Sequence, residues 1–332
     1  MSFNIDIKHS LLRKLYDEQE GMQSFYDEEM YTPEETISET ERNEAELTAY
    51  LQLASSIIFK GSGKLNLRFE CELEELCDRF SYLTEKLFGF EPIKAYAEKS
   101  EFGGRKTYFT LIDDSDKVKE ILSRFAIAEF EPYFTIRKHV HESILQSTGL
   151  KKSYLKGAFL STGFINDPKR SYLLQFSLNS QSIAKDITES LTGMNLGASV
   201  RLKDSMYVIS IRKAEDVSDF MAYCEAYSAV LSFQEQKALK DMNNTMNRKV
   251  NCDTANIQKT VEASMNQVAA INKLINAGVF SKLPEKLIYA AQLRLDNPEE
   301  SLSELAKLSN PPINRSTLDK RLRKLISMAE EL

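Results

Sequence analysis

The sequence predicts an α+β domain made of two copies of one unit, followed by an all-α domain. Three observations carry this. An apolar helix rich in small residues occurs twice, and each copy leads into alternating strands and amphipathic helices. The matching points keep their order, 108 residues apart at Leu47 and Leu155 and 99 apart at Tyr108 and Tyr207. That drift is what loop insertions in a duplicated unit produce. The last fifty residues instead carry three short helical patterns with no strand between them.

A chain of 332 residues is long enough for two or three domains. It is 42% hydrophobic and 28% charged, ordinary for a globular protein. No run approaches 18 apolar residues, so no membrane contact is expected. The opening residues lack a basic stretch followed by a long apolar one, which argues against a secretory signal. Four widely spaced cysteines (Cys71, Cys77, Cys224, Cys252) form no C-x-x-C pair and read as reduced thiols of a cytoplasmic protein. His139 and His141 would share one side of a strand, but no third ligand is in view, so no metal and no cofactor is expected. Charge is uneven. Residues 1–239 carry 29 bases and 38 acids, and residues 240–332 carry 14 bases and 11 acids. Twelve of the acids lie between Asp17 and Glu46, with Arg42 the one base among them. The chain thus has an acidic insert, a near-neutral body and a basic tail.

Residues 2–16 read as a short helix, with Ile5, Leu11, Leu12 and Leu15 apolar. Residues 17–40, acidic and poor in aliphatics, read as a mobile loop. Then the duplicated unit begins. LTAYLQLASSIIF (47–59) and LKGAFLSTGFI (155–165) read as apolar helices whose Ala49, Ala54, Gly157, Ala158 and Gly163 would let another helix approach closely. A turn follows each, Gly61-Ser-Gly63 or Asn166-Asp-Pro168, and then a strand with Leu65, Leu67 and Phe69 or with Tyr172, Leu174 and Phe176. Amphipathic helices at 72–88 and 181–193 come next. Two further strands (Ile93–Ala97 and Thr107–Ile112; Ala198–Leu202 and Met206–Ile211) and a closing helix (115–125; 214–224) complete each copy. The two small-residue helices would pack about a pseudo-twofold axis and join two mixed sheets into one saddle.

These helices resemble the LAGLIDADG motif of homing endonucleases, more fully in the second copy, where LKGAFLSTG matches at Leu155, Gly157 and Gly163. The resemblance implies a carboxylate beside the motif's last glycine, holding divalent metal over the scissile phosphates. Here those positions are Ala54 and Thr162, which make no useful magnesium ligands. Asp167 falls in an Asn-Asp-Pro turn and reads as a turn former. The fold is therefore expected without catalysis. The candidate strands hold Lys64, Arg68, Arg201, Lys203, Arg212 and Lys213, yet the domain is acidic overall. Phosphate neutralisation dominates affinity for nucleic acid, so these read as scattered solvated bases more readily than as a binding groove.

Residues 231–277 have helical spacing and an Asn-rich stretch, DMNNTMNRKVNCDTANIQK (241–259). It reads equally as a break between two helices or as polar contacts to DNA or to the first domain, with Arg248, Asn251 and Asn256 as candidates. In the tail, Leu283-Pro284 opens a helix of about twelve residues, with Leu287, Ile288, Ala291 and Leu295 on one face, ended by Asp296-Asn-Pro298. Ser301 caps a short helix with Glu304 at the capping-box position, and Leu302, Leu305, Ala306 and Leu308 are its inward residues. Asn310-Pro-Pro312 stops it. A third helix, 315–330, capped by Asn314 or Ser316, turns Leu318, Leu322, Leu325 and Ile326 inward. Five bases against one acid between 311 and 325 face out. Such a helix suits the major groove. Arg315, Ser316 and Thr317 would stand near bases, and Lys320, Arg321, Arg323 and Lys324 would meet mostly phosphate.

A degenerate LAGLIDADG-like domain, the stretch NRKVNCDTAN (247–256) and the ending SLSELAKLSNPPINRSTLDKRLRKL (301–325) together resemble the WhiA family of bacterial transcription and cell-division regulators. The resemblance implies a cytoplasmic, nucleoid-associated regulator that binds double-stranded DNA at promoters. It also implies a part in cell division and chromosome segregation or in sporulation, with no enzymatic activity. The domains expected are an N-terminal helix and acidic segment (1–46), a LAGLIDADG-like domain (47–230, repeats about 47–135 and 155–230), a helical linker (231–277) and a helix-turn-helix domain (278–332). A protein partner, such as another transcription regulator, would dock on the LAGLIDADG-like domain. The competing readings are a protein-interaction scaffold that the tail tethers to DNA and an active homing endonuclease.

Overall fold

The computed structural model describes residues 3–19, 37–61, 63–99 and 105–332. The chain forms two compact units, Met1–Leu239 and Lys240–Leu332, each with its own hydrophobic core. Residues 20–36, most of the loop expected at 17–40, lie outside the described residues.

The first unit begins with α1 (Phe3–Gln19), which buries Ile7, Leu11, Leu12 and Leu15. Then α2 (Glu39–Leu53) starts two turns ahead of Leu47, because Ser38 and Glu41 close a capping box. The Glu41 backbone N–H donates to Ser38 Oγ at 3.3 Å, and the Glu41 carboxylate accepts the Ser38 N–H at 2.8 Å. The chain continues through β1 (Ser55–Phe59), β2 (Leu65–Cys71), α3 (Glu74–Phe88), β3 (Ile93–Lys99), β4 (Arg105–Ile112) and α4 (Ser115–Arg124). A hairpin of β5 (Ala128–Glu129) and β6 (Thr135–Ile136) and the short α5 (Glu142–Gln146) lead to the second copy. That copy is α6 (Thr148–Thr162), β7 (Gly163–Ile165), β8 (Leu174–Leu178), α7 (Gln181–Gly193), β9 (Ala198–Lys203), β10 (Met206–Ile211) and α8 (Ala214–Tyr223).

Two expectations need correction. The apolar runs at 47–59 and 155–165 are not helical throughout. Each helix stops, at Leu53 and Thr162, and the rest of the run is a strand. Ser55–Phe59 alternates its faces and pairs antiparallel with Leu65–Phe69, and Lys60 N–H donates to Lys64 O at 2.9 Å. The sheets, expected to be mixed, are antiparallel at every neighbouring pair, in the orders β1-β2-β4-β3 and β7-β8-β10-β9. The reason lies in the crossover. The helix α3 carries the chain from β2 to β3 with the two strands running the same way but one strand apart. The strand β4 returns into that gap and pairs antiparallel with both. In the second copy β10 fills the gap between β8 and β9 in the same manner.

The two sheets meet through α2 and α6. A Cβ on Gly157 would stand 2.8 Å from Glu46 O and 3.0 Å from Ala49 Cβ, so the two backbones touch where only glycine fits. Ala49 and Gly157 are 108 residues apart, the same offset that relates the copies. Equivalent residues that contact each other must lie beside the axis that relates them, which gives the predicted pseudo-twofold a place. Below this contact Arg79 on α3 forks onto Glu46, Nε to Oε1 and Nη2 to Oε2, both at 2.9 Å. Tyr50 OH donates to the same carboxylate at 2.7 Å, and Arg79 Nη2 reaches Asn43 Oδ1 at 3.2 Å. Burial opposes charge on Glu46, but the Arg79 charge and these hydrogen bonds more than offset it, holding the carboxyl below its usual range. Lys8 on α1 is buried too and donates to Leu160 O at 3.0 Å.

The helix α9 (Tyr227–Asn276) begins in the first unit and ends in the second. It runs unbroken through 241–259, where a break was one of two readings. Two of its hydroxyls are satisfied within the helix, Thr245 Oγ1 donating to Asp241 O and Thr260 Oγ1 to Asn256 O, each at 2.9 Å. In the second unit the end of α9 buries Ile271 and Leu274 against α10 (Glu285–Asp296), α11 (Leu302–Leu308) and α12 (Arg315–Glu330). The core there is Leu283, Leu287, Ala290, Ala291, Leu305, Ala306, Leu318, Leu322, Leu325 and Ala329.

Candidate nucleic-acid interface

Capping and periodicity set α12. Asn314 is its N-cap, with Oδ1 accepting the Ser316 N–H at 3.2 Å, so of the two candidate caps Asn314 is the one used. Leu318, Leu322, Leu325 and Ala329 recur at helical spacing and are buried, which turns the opposite face outward. Arg315, Ser316, Thr317, Lys320, Arg323 and Lys324 are exposed, and Arg321 is half-buried at the edge of the core face. At about 100° per residue, Ser316, Lys320, Arg323 and Lys324 fall on one stripe with Thr317 at its margin. Arg315 and Arg321 flank it on either side. The acid on this stretch, Asp319, accepts Arg323 Nε at 3.0 Å. The partial positive charge of the helix N-terminus adds to the same end as Arg315 and Ser316.

The turn in front of α12 differs from the sequence reading. Leu308, expected to be buried, is 54% exposed, while Ser309 is buried instead. The helix α11 ends at Leu308, and the next residue is the hub of the turn. Ser309 Oγ accepts the Ile313 N–H at 2.8 Å and lies 2.8 Å from Ala306 O and 3.2 Å from Pro311 O, to either of which its proton can be given. Tyr289 on α10 braces the same turn by accepting the Asn310 N–H at 2.6 Å. Arg294, buried on α10, donates through Nη1 to Glu300 O at 2.7 Å and so holds the connector between α10 and α11. These positioning residues were missed because their partners are backbone carbonyls, which leave no mark in side-chain spacing. Ser301 and Glu304 do close the capping box that the spacing predicts.

Arg248, Asn251 and Asn256 are all exposed on α9, and Asn256 Nδ2 lies 3.7 Å from Cys252 Sγ. In the first unit, Ala54 and Thr162 stand at the matching ends of the paired helices α2 and α6. Ala54 has no donor to offer, and Thr162 Oγ1 donates back to Ala158 O at 3.0 Å. Asp167 shapes a turn, accepting the Lys169 N–H at 2.9 Å on Oδ1 and the Arg170 N–H at 2.9 Å on its carbonyl. Among the described residues no group of three or more metal-binding side chains occurs. His139 and His141 do separate work. His139 Nδ1 is 3.2 Å from Asp186, and His141 caps α5 by accepting the Ser143 N–H at 3.3 Å. On the outward face of the first sheet, Arg68 stacks over Phe109 at 4.3 Å and pairs with Glu70 at 3.2 Å, so its charge is already engaged. No helix is long and apolar enough to cross a membrane among the described residues.

A protein of Thermoanaerobacter sp. (strain X514) named "Probable cell division protein WhiA" is 30% identical over 333 residues, which take in 100% of this chain and 98% of that one. The chain belongs to the WhiA family. Three family models mark its parts: the WhiA N-terminal LAGLIDADG-like domain at residues 40–128, the WhiA LAGLIDADG-like domain at 151–243 and the WhiA C-terminal HTH domain at 246–329. A WhiA of Clostridium botulinum (strain Hall), also named a probable cell division protein, is 29% identical over 289 residues, 87% of this chain and 91% of that protein. The crystal structure of full-length DUF199/WhiA from Thermatoga maritima shares the fold, with a TM-score of 0.53 at 19% identity over 100% of this chain and 98% of that one. The duplicated LAGLIDADG-like domain and the helix-turn-helix domain read from the sequence are those of the WhiA family.

Proposed function

We propose that this chain is a sequence-specific DNA-binding regulator of transcription that acts in cell division and chromosome segregation and does not cut DNA. The observation that carries the reading is α12. Its outward stripe is basic, its N-terminus is open, and a braced turn sets it in place. Arg315, Ser316 and Thr317 at the first turn contact base edges, and Lys320, Arg321, Arg323 and Lys324 contact phosphate. Arg248, Asn251 and Asn256 add contacts from α9. The part in cell division is suggested by the names of the relatives. The lack of cleavage follows from Ala54 and Thr162, which leave the ends of α2 and α6 without a carboxylate.

A salt titration of duplex binding tests this. The full chain and its Lys320→Ala/Lys324→Ala variant are compared on one promoter fragment. Loss of two phosphate contacts should weaken binding and flatten the slope of log K against log salt by about 2. An unchanged slope removes α12 as the DNA surface. A docking role for the first unit is favoured by the outward face of its first sheet, where Ile93 is exposed beside Leu111, Phe109 stands two residues away on the same strand, and Ile58 is exposed on the opposite edge strand. In that reading Phe109→Lys leaves DNA affinity and its salt slope untouched.

A further inference from the structure

The second unit carries an apolar stripe that its own core does not use. Met242, Met246, Val250, Ile257 and Val261 are 56%, 58%, 56%, 65% and 48% exposed. Advancing about 100° per residue along α9, they fall within one arc of about 100° and run about 28 Å along the helix. The residues stand four, four, seven and four apart, and the recurrence at eleven (Met246 to Ile257, Val250 to Val261) keeps the stripe almost parallel to the axis, so that it suits a second, nearly straight helix. The five asparagines of this stretch leave its surface uncharged over long intervals. From Asp241 to Glu262 three bases balance three acids, so a second copy of the same helix is not repelled.

Lys249 and Asp253 decide how the second copy lies. At about 100° per residue Lys249 lies about 20° outside one edge of that arc and Asp253 about 20° inside the same edge, one turn apart. In an antiparallel pair like flanks face each other, and in a parallel pair unlike flanks do. The other flank holds Asn243, Asn247 and Thr254 and offers no charge. With a twofold axis through Val250, each Asp253 comes within two residues, about 3 Å along the axis, of the Lys249 of the second copy. Met242 then lies beside the second copy's Ile257. We propose that the stripe is a self-association surface, on which two copies of this chain pair antiparallel through α9 about an axis at Val250. The contact is short beside a standard interface, so pairing is expected at high protein concentration and on DNA that carries two sites side by side. It would supply the two recognition helices that a helix-turn-helix protein sets on two half-sites.

Disulfide trapping in the full chain tests the geometry without DNA, so its failure is separable from failure of the DNA reading. On a Cys252→Ser background, where the remaining cysteines are buried, Met242→Cys and Ile257→Cys chains are oxidised separately and mixed. The mixture should give crosslinked dimer at least about tenfold above either chain alone. Crosslinking of either chain by itself signals parallel pairing and overturns the proposal, as does the absence of crosslink in all three samples. Sedimentation supplies the second measurement. Lys249→Glu should weaken self-association by about tenfold, and Lys249→Glu/Asp253→Lys should restore it. A parent chain that stays monomeric at every concentration, with and without two-site DNA, also overturns it.

Discussion

Replacing Arg79 with methionine removes the partner of a buried carboxylate and leaves the carboxylate in place. Glu46 is 3% exposed and takes three hydrogen bonds, two from the Arg79 guanidinium and one from Tyr50. Breaking a buried pair from one side costs about 3–5 kcal/mol, because the desolvated charge remains. For a unit of this size each kcal/mol moves the melting point by about 2–4 °C, so Arg79→Met should lower it by roughly 6–20 °C. The pH dependence carries more information. In the parent the Glu46 carboxyl sits below its ordinary range, because Arg79 outweighs burial. Its contribution is present above the unfolded carboxyl value and is lost as pH falls through the lower folded one. In the variant only the Tyr50 hydrogen bond and the Lys156 charge still oppose burial, and the folded value should rise above the unfolded one. The folded state then binds more protons in that window, and stability returns as pH drops toward the ordinary carboxyl range. Calorimetry of the full chain at pH 7.5 and 5.5 should therefore show the gap between variant and parent narrowing at the lower pH. A gap that stays constant, or a cost under about 1 kcal/mol, would refute the account of Glu46 as a charge held by Arg79. The double variant Arg79→Met/Glu46→Leu should recover most of the loss.

Lys8 is the opposite case: burial pushes its amine down to about 8. The unfolded chain binds more protons between that value and the ordinary lysine range, so stability should rise with pH across that window. Lys8→Met should abolish the rise in a urea titration run from pH 7 to 10. Gly157→Ala puts a methyl group 2.8 Å from Glu46 O, and overpacking of about 1–3 kcal/mol should exceed the roughly 1 kcal/mol that alanine gains in a helix. Gly193→Ala, with open space at its Cβ, serves as the control that does not destabilise. Ser309→Ala withdraws the hub of the turn before α12 at about 1–3 kcal/mol. Duplex affinity should fall while the salt slope stays that of the parent, since no phosphate contact is removed. A flattened slope would instead make Ser309 a contact residue.

Much of the architecture was legible because it is written in short-range patterns. The limits of α7 and α12 follow from a capping residue and a run of apolar positions three and four apart, and neither depends on anything distant. The duplication showed as a repeated order at a nearly constant offset, and that offset later named the residues at the axis, Ala49 and Gly157. The basic stripe on α12 was likewise legible, since the helical period alone turns Lys320, Arg323 and Lys324 away from Leu318 and Leu322. What escaped the sequence depends on contacts made from afar. A helix that passes into a strand at Leu53 or Thr162 keeps the same apolar composition, and pairing partners that come later in the chain decide where it changes. Antiparallel order throughout each sheet depends on which gap a returning strand fills. Glu46 and Arg79, 33 residues apart, look like ordinary surface charges until α2 and α3 pack. Ser309 and Leu308 exchanged burial because the turn needed a hydroxyl more than the core needed one further side chain. The stripe on α9 has the same spacing as a buried one, and only tertiary packing separates them, for it occupies one face of α9 with Ile271 and Leu274 and leaves Met246, Val250 and Ile257 in solvent.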